Sequence, residues 1–294
     1  MVVSPKKAGV TLIELLIVIV VLAVIASIAI PAIGTIVERT RLDADKASVT
    51  RLNASTRLYR LNRHGNDPFE DDHSTSEMLV QLLVTEGYLS AHSSPQSQDA
   101  EFIWSHEHHH WFLSLDNTIV VIPTDEAFFT VHGTHTHRIV DYDVSGGSYV
   151  VIPTQINNIT ITDISGQGGL GAFQNKQIET VILPSGLNEI GNHAFRNNLL
   201  TSITFPQGLT RIGISAFATN QISELILPNT VTHVAASAFH SNPITRITLG
   251  DDVTIGDTYS FGIHRPGGDR NFNKVYELGG AGTYNWNGTD WIKE

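Results

Sequence analysis

Hydrophobic positions follow four different patterns along the chain, and the first is a continuous apolar run. In residues 10–30 only Thr11, Glu14 and Ser27 are not apolar. About 20 apolar residues are enough to cross the hydrocarbon core of a membrane as a helix. The run therefore predicts a membrane-spanning helix over residues 10–30.

Beyond Pro31 the pattern changes to the spacing of an amphipathic helix. Apolar residues recur at intervals of 7, 3 and 7, with charged residues between them, at Leu42, Val49, Leu52 and Tyr59. Gly65 and Pro68 then interrupt the pattern. We expect one long helix over residues 10–62, whose second half packs against a globular head.

Residues 63–148 carry the pattern of a small mixed domain. The spacing predicts a helix near residues 76–87 and three strands near 102–104, 110–122 and 127–140, separated by turn residues at 116–117 and 123–125. This order predicts a globular head in which one helix precedes a small antiparallel sheet.

From residue 149 onward the chain repeats itself every 22 residues. Ala-Phe or Ser-Phe pairs recur in a single register, which places five phenylalanines at Phe173, Phe195, Phe217, Phe239 and Phe261. An Ile-x-x-Val-x-Leu pattern and an asparagine recur with the same period. A fixed period of this length predicts a solenoid whose coils stack their apolar positions on one another. We expect the solenoid over residues 149–265, and the aromatic residues after it predict a C-terminal cap over 266–294. The predicted fold class is α+β.

Composition adds limits to this picture. With 294 residues the chain can form two domains, and without cysteine it has no disulfides. Its formal net charge of -11 argues against nucleic-acid binding through the overall electrostatic field.

The residues that open the apolar run carry a specific motif. The segment Lys6-Lys7-Ala8-Gly9-Val10-Thr11-Leu12-Ile13-Glu14 resembles the N-terminal signature of type IV pilins and type II secretion pseudopilins. The resemblance implies that a prepilin peptidase removes residues 1–9 after Gly9 and methylates Val10. It also implies that Glu14 neutralises the N-terminal amine of a neighbouring subunit, and that the first helix kinks or loosens at Pro31. A carboxylate inside a membrane helix is costly, which independently favours a functional partner for Glu14.

The repeat motif Ile-Gly-x-x-Ala-Phe-x-x-Asn resembles the BspA-type leucine-rich repeats of bacterial surface proteins. With the N-terminal resemblance, it implies a non-enzymatic, pilin-like subunit that displays a repeat module for adhesion or protein contact. A bulky module favours a minor subunit over the repeating shaft. The implied partners are other pilin subunits, the prepilin peptidase, the inner membrane, and a surface or host protein. The alternative is a periplasmic pseudopilin whose repeats contact cargo or machinery.

The expected binding surface is the strand face of the solenoid. Alternate positions of the repeated strands would display eight residues, which are Thr180, Ile182, Ser202, Thr204, Glu224, Ile226, Arg246 and Thr248. This set includes one arginine but no tyrosine or tryptophan, so it is poor in the residues that dominate tight interfaces.

Histidines in the head suggest a metal site. His108 and His110 would face His135 and His137 if their strands paired, offering imidazoles to zinc or copper. The segment from His106 to His110 also matches H-E-x-x-H, but its surroundings resemble a strand, on which the outer histidines would lie about 13 Å apart.

Residues 166–171 match the dinucleotide fingerprint G-x-G-x-x-G. They lead into the repeat register at Ala172 rather than into the helix of a βαβ unit, which argues against nucleotide binding. No cofactor is therefore expected apart from a metal at the histidines.

Overall fold

The chain forms two compact units, one before Val121 and one from Val121 to Glu294, with Glu107–His109 grouped with the second. The computed structural model describes residues 12–62, 67–71, 73–89, 94–97, 99–105, 110–132, 137–256, 260–261 and 272–294. In the first helix it describes side chains from Ile36 onward.

The first unit contains the long helix α1, Leu12–Asn62, which runs for 51 residues and continues through Pro31. Its second half buries Val49, Leu52 and Tyr59, the three most C-terminal positions of the predicted apolar stripe. A second helix, α2 (Ser76–Thr85), begins where the Thr75 side chain accepts a hydrogen bond from the Met78 amide at 3.3 Å. Such N-terminal capping satisfies a backbone donor that the helix itself leaves unpaired.

None of the helices in the described residues is both long and apolar enough to cross a bilayer.

A three-stranded antiparallel sheet completes the first unit. Its strands β1 (Ala100–Ser105), β2 (His110–Leu115) and β3 (Thr118–Val120) lie in sequential order. Trp111 on β2 is fully buried, and its ring nitrogen donates to the Thr56 hydroxyl of α1 at 2.9 Å. Asn53 of α1 accepts from the Trp111 amide at 2.8 Å and donates to its carbonyl at 3.3 Å, so one amide side chain fixes β2 on the helix.

The described part of the second unit contains fifteen short strands. They are β4 (Phe129–Val131), β5 (Arg138–Tyr142), β6 (Tyr149–Val151), β7 (Gln155–Ile156), β8 (Ile159–Thr160), β9 (Asp163–Ile164), β10 (Thr180–Ile182), β11 (Glu189–Ile190), β12 (Arg211–Ile212), β13 (Glu224–Ile226), β14 (His233–Val234), β15 (Arg246–Leu249), β16 (Thr254–Ile255), β17 (Gly282–Trp286) and β18 (Trp291–Lys293).

Two faces of the solenoid arise from these strands. One face is a seven-stranded sheet with the order β16-β14-β12-β11-β9-β5-β4. The other, which we call the longer-strand face, contains the pair β10-β6 and the four-stranded sheet β13-β15-β17-β18. Consecutive coils pair in parallel and in register, for example Glu224 with Arg246, as a 22-residue period requires.

The seven-stranded sheet extends beyond the repeats toward the N-terminus. The sequence predicts β4 and β5 in a separate head sheet, within residues 63–148. Instead, β5 pairs in parallel with β9, placing Ile139 beside Ile164, and both side chains are fully buried. Strand β4 then pairs antiparallel with β5 and ends the sheet. The physical reason is burial, since the apolar side of β5 continues the solenoid core.

The solenoid core is a continuous stack of aromatic rings. Neighbouring rings among the five repeated phenylalanines lie 4.8, 5.2, 5.3 and 5.8 Å apart between centroids, with interplanar angles of 13° or less. Tyr142 stacks on Phe173 at 5.2 Å, and Phe272 meets Phe261 edge-on at 5.0 Å. The predicted phenylalanine core is thus observed, and the stack has an aromatic residue beyond each end.

Buried asparagines join the coils beside this stack, forming what we call the asparagine ladder. The Asn220 amide group donates to the carbonyls of Phe195 and Phe217, each at 3.0 Å, and its oxygen accepts from the Leu200 amide at 3.1 Å. Asn198 and Asn242 make the equivalent contacts one coil away on either side. Each side chain therefore satisfies buried backbone groups of its own coil and of the preceding coil.

A column of left-handed residues turns each coil at the same point. Asn175, Asn197, Thr219 and Ser241 have φ between 57° and 60°. Asn tolerates this conformation well, whereas a β-branched residue is strained in it. Asn197 also donates to the side-chain oxygen of Asn175 at 2.7 Å.

We expect Thr219→Asn to stabilise the solenoid by about 1 kcal/mol, because it removes the β-branch from a left-handed position. Urea unfolding followed by hydrogen exchange would measure the change. Thr201→Asn is the control, since Thr201 is also exposed but is absent from the left-handed positions. Equal effects of the two substitutions would contradict the explanation.

The C-terminal segment packs on the last coil. Helix α3, Phe272–Gly279, places Phe272 against Phe261, Tyr284 and Trp291, at centroid distances of 5.0 to 5.4 Å. Strand β17 pairs antiparallel with β15, and β18 pairs antiparallel with β17. The change from parallel to antiparallel pairing ends the regular repeat on this face.

Candidate functional site

The eight residues expected on the binding surface are divided by the structure. Glu224, Ile226, Arg246 and Thr248 lie together on β13 and β15. Thr180 and Ile182 lie on β10, in the separate pair with β6. Ser202 and Thr204 are exposed but belong to no strand. The structure therefore places four of the eight predicted residues together in one sheet, and the other four lie outside it.

The four-stranded part of this face presents two exposed rows. In the first, Glu224 is opposite Arg246, which is opposite Asn285. In the second, Ile226 is opposite Thr248, which is opposite Thr283. Strand β17 thus extends the surface with residues that the repeat pattern alone could not supply. The alternation of polar and aromatic residues in residues 282–286 is the signal that could have revealed the strand.

The charge of Arg246 is balanced by two carboxylates. Its guanidinium lies 3.5 Å from Glu224 Oε1 and 3.5 Å from Glu294 Oε2, and all three side chains are about half exposed. Glu294 also accepts from the Asn285 amide at 2.8 Å. At this exposure such pairs contribute little to stability. They give the surface a mixed charge beside Ile226, whose side chain is 59% exposed.

The seven-stranded sheet carries a second exposed row that the sequence analysis did not single out. Arg138, Asp163, Glu189, Arg211 and His233 occupy consecutive strands in register. The Arg138 guanidinium lies 2.9 Å from Asp163, and that of Arg211 lies 3.4 Å from Glu189. Each of these five residues comes immediately before a buried Ile or Val, and this recurrence is the sequence signal that could have revealed the row. Two neighbouring acids, Asp163 and Glu189, are flanked by the arginines, so the row has no single sign of charge.

Two tyrosines in the second unit have altered acidity. Burial raises the pKa of Tyr149. Burial also raises the pKa of Tyr284, with smaller contributions from Tyr276 and Asp251. Both phenols are therefore neutral near pH 7.

The predicted metal site requires the strand that carries His110 to pair with the strand next to His137. In the structure both strands pair with other strands. Strand β2, with His110, pairs with β1 and β3, whereas β5, which follows His137, pairs with β4 and β9. His110 Nε2 lies 3.1 Å from the Asn53 amide nitrogen, and His137 Nδ1 lies 2.7 Å from the Thr160 carbonyl oxygen. His106, His108 and His135 lie outside the described residues. Among the residues described, no three His, Cys, Asp or Glu side chains are grouped to hold a metal ion.

The glycine-rich segment at residues 166–171 forms a turn on the solenoid. The Leu170 amide donates to the Gln167 carbonyl at 3.3 Å, and Gly168 and Gly169 both have positive φ. The segment leads into turns at residues 172–175 rather than into a helix. It therefore lacks the helix N-terminus on which the fingerprint depends.

The processing and assembly residues lie at the N-terminal edge of the described chain. Gly9 and Val10 lie outside the described residues. Glu14 and Pro31 belong to α1, in the part whose side chains are not described.

Two parts of the chain match known protein families. Residues 147–264 match the BspA type leucine rich repeat region, in six copies. The chain carries BspA-type leucine-rich repeats. Residues 4–30 match the prokaryotic N-terminal methylation motif. The two resemblances identified from the sequence are confirmed, and the BspA-type repeats coincide with the solenoid.

Two solved leucine-rich repeat proteins are similar to part of the chain. The crystal structure of the T. pallidum leucine rich repeat protein is 19% identical, with a TM-score of 0.30, and the match covers 48% of this chain and 85% of that one. A leucine-rich repeat protein from Bacteroides ovatus is 17% identical, with a TM-score of 0.25, over 58% of this chain and 52% of that one. At these TM-scores neither structure supports a functional argument. Comparison with curated proteins gives no match.

Proposed function

We propose that the chain is a non-enzymatic, pilin-like subunit that displays its BspA-type repeats for contact with another protein. The observation that carries this proposal is the presence of an N-terminal methylation motif and a repeat region on the same polypeptide. The motif supplies anchoring and assembly, and the repeats supply an extended surface of stacked coils.

Three steps make up the proposed mechanism. A prepilin peptidase cleaves after Gly9 and methylates Val10 in the inner membrane. The Val10 amine of an incoming subunit then pairs with Glu14 of a neighbour, because a carboxylate in an apolar surrounding is stabilised by an opposite charge. Helix α1, with 51 residues, is about 77 Å long at 1.5 Å per residue. In the third step the repeats project outward and contact a partner.

Contact with a partner is proposed to involve the longer-strand face. Glu224, Arg246 and Asn285 offer charge and amide groups, and Ile226 provides exposed apolar area beside them. The scarcity of exposed large aromatic side chains in these rows favours moderate affinity, since such residues dominate tight interfaces. A surface or host protein is the proposed ligand, and the size of the repeat region favours a minor subunit.

Intact mass spectrometry of the native protein tests the proposal. We would compare sheared filaments with the cell envelope. A chain beginning at N-methylated Val10 in the filaments supports the pilin-like function. The same chain confined to the envelope favours the alternative of a pseudopilin. A chain that retains Met1 in both fractions would overturn processing and leave an anchored repeat protein.

We expect Glu14→Gln to abolish assembly while leaving cleavage after Gly9 intact, because the amide cannot neutralise a neighbouring amine. Filament recovery should fall at least about tenfold. The reason is that losing one buried charge interaction worth more than about 1.4 kcal/mol lowers the equilibrium constant for assembly by that factor. Glu38→Gln is the control, since Glu38 is exposed on the same helix and pairs with Arg41 at 2.8 Å. Normal filament levels with Glu14→Gln would contradict the assigned role.

A further inference from the structure

The longer-strand face is interrupted at one coil. Strand β10 pairs with β6, and β13 pairs with β15, but residues 202–204 pair with neither neighbour within the continuously described stretch 137–256. On the opposite side the same coils remain joined, because β11 and β12 pair in register. Strand pairing between these coils is therefore present on one face and missing on the other. Just before residues 202–204, the Leu199 amide still donates to the Ile178 carbonyl at 2.8 Å, and the Gln221 amide donates to the Leu200 carbonyl at 2.9 Å.

The residue that distinguishes this coil is Phe205. In the equivalent position the other coils have leucine, at Leu183, Leu227 and Leu249. The Phe205 side chain is buried, with 5% exposed, and its ring meets Phe217 edge-on at 5.6 Å and Phe239 edge-on at 6.3 Å. A ring in a position shaped for leucine displaces the attached backbone, because a packed core accepts added volume only by such shifts.

Other contacts at this coil lie away from residues 202–204. The asparagine ladder continues there, since Asn220 bonds both Phe195 and Phe217, and the phenylalanine stack is unbroken at 5.2 Å. The seven-stranded sheet also continues from β9 through β14. A segment held by the core and by one sheet, but without strand pairing on the other face, is the weakest point for local opening.

We propose that residues 200–206 form a hinge at which the repeat region opens on its longer-strand face. The seven-stranded sheet acts as the fixed side, and β10 and β13 separate or approach as the coil between them moves. Opening changes the distance between Ile182 and Ile226, and with it the curvature of the face. The hinge follows from the packing of Phe205 and does not depend on the proposed function.

Hydrogen exchange of the full-length chain in detergent micelles tests the hinge. Amides of residues 202–205 should exchange about tenfold or more faster than those of 224–227, because the latter segment pairs with β15 whereas the former has no strand partner. Phe205→Leu should restore pairing and slow exchange at 202–205. Equal protection of the two segments, or an unchanged rate in Phe205→Leu, would overturn the proposal.

The reverse substitution supplies a matched variant. Leu227→Phe places the same ring one coil later, so exchange at residues 224–226 should become faster while that at 246–249 remains slow. This variant tests the cause separately if Phe205→Leu fails to fold. No increase at 224–226 in folded Leu227→Phe would exclude the ring as the cause of the interruption.

Spin labels can measure the motion itself, since the chain contains no cysteine. Thr180→Cys with Glu224→Cys places two labels two coils apart across the hinge, at backbone positions separated by about 10 Å. Glu189→Cys with His233→Cys places a matched pair two coils apart on the seven-stranded sheet. We expect a broader distance distribution for the first pair, which narrows with Phe205→Leu. Equally narrow distributions would overturn the hinge.

Discussion

Asn220→Ala is expected to lower the free energy of unfolding of the second unit by about 3 to 5 kcal/mol, because it leaves the buried Leu200 amide without its partner and removes two further hydrogen bonds. These two bonds go to the carbonyls of Phe195 and Phe217, each of which keeps a second bond, from Asn198 and Asn242 respectively. Urea unfolding with hydrogen exchange as the readout would measure this unit separately from the first.

Two further substitutions distinguish hydrogen bonding from simple loss of volume at Asn220. Asn220→Asp keeps the shape and the acceptor but removes both donors, so it should be at least as damaging as alanine in this buried position. Gln221→Ala is the control, since Gln221 is exposed and adjacent. A loss below about 1 kcal/mol for Asn220→Ala would mean that water replaces the amide.

Phe217→Ala is expected to cost about 3 to 5 kcal/mol, as truncation of a buried aromatic side chain generally does. Phe217 lies in the middle of the stack, is fully buried, and contacts Phe195, Phe239 and Phe205. Its removal creates a cavity that the rigid neighbouring coils cannot close. Unfolding in urea, followed by the fluorescence of Trp286 and Trp291 in the second unit, would report the loss.

Phe217→Leu separates volume from stacking. It retains most of the apolar volume, so a cost of about 1.5 kcal/mol or less is expected if the cavity dominates. A cost equal to that of alanine would show that ring stacking between coils contributes more to stability than the filled volume does. Leu170→Ala serves as the surface control, because Leu170 is 66% exposed.

The solenoid was predictable because its residues repeat the same physical role every coil. Each repeated phenylalanine faces the core, and each repeated asparagine bonds the same backbone groups, so position in the period determines environment. The long helix was similarly predictable, since its apolar spacing alone places Val49, Leu52 and Tyr59 on the buried side.

The extension of the seven-stranded sheet by β4 and β5 was not predictable from this period. Strands β4 and β5 lack the Ala-Phe pair, and the alignment of Ile139 with Ile164 exists only after the chain has folded. A hairpin of this composition suits a small head domain equally well. The period therefore located the repeats at 149–265, close to the matched region 147–264, but did not show that β4 and β5 extend their sheet.

The candidate surface was predicted in part, for a related reason. Glu224, Ile226, Arg246 and Thr248 follow the repeat and lie together as expected. Ser202 and Thr204 follow the repeat but do not lie in a strand. A hydrophobic pattern treats Phe205 as equivalent to leucine, whereas in the packed coil its larger ring contacts Phe217. Thr283 and Asn285 come from a strand outside the repeats, which only the antiparallel pairing with β15 brings to this surface.

The asparagine ladder also limits how such a module can change its length. Each amide group bonds only its own coil and the preceding one, as Asn242 does with Phe239 and Phe217. Insertion or deletion of a whole coil leaves every such contact intact, whereas a partial coil would leave an asparagine without its two carbonyls. Duplication of complete coils is therefore the route by which the repeat region can lengthen without redesign of its ends.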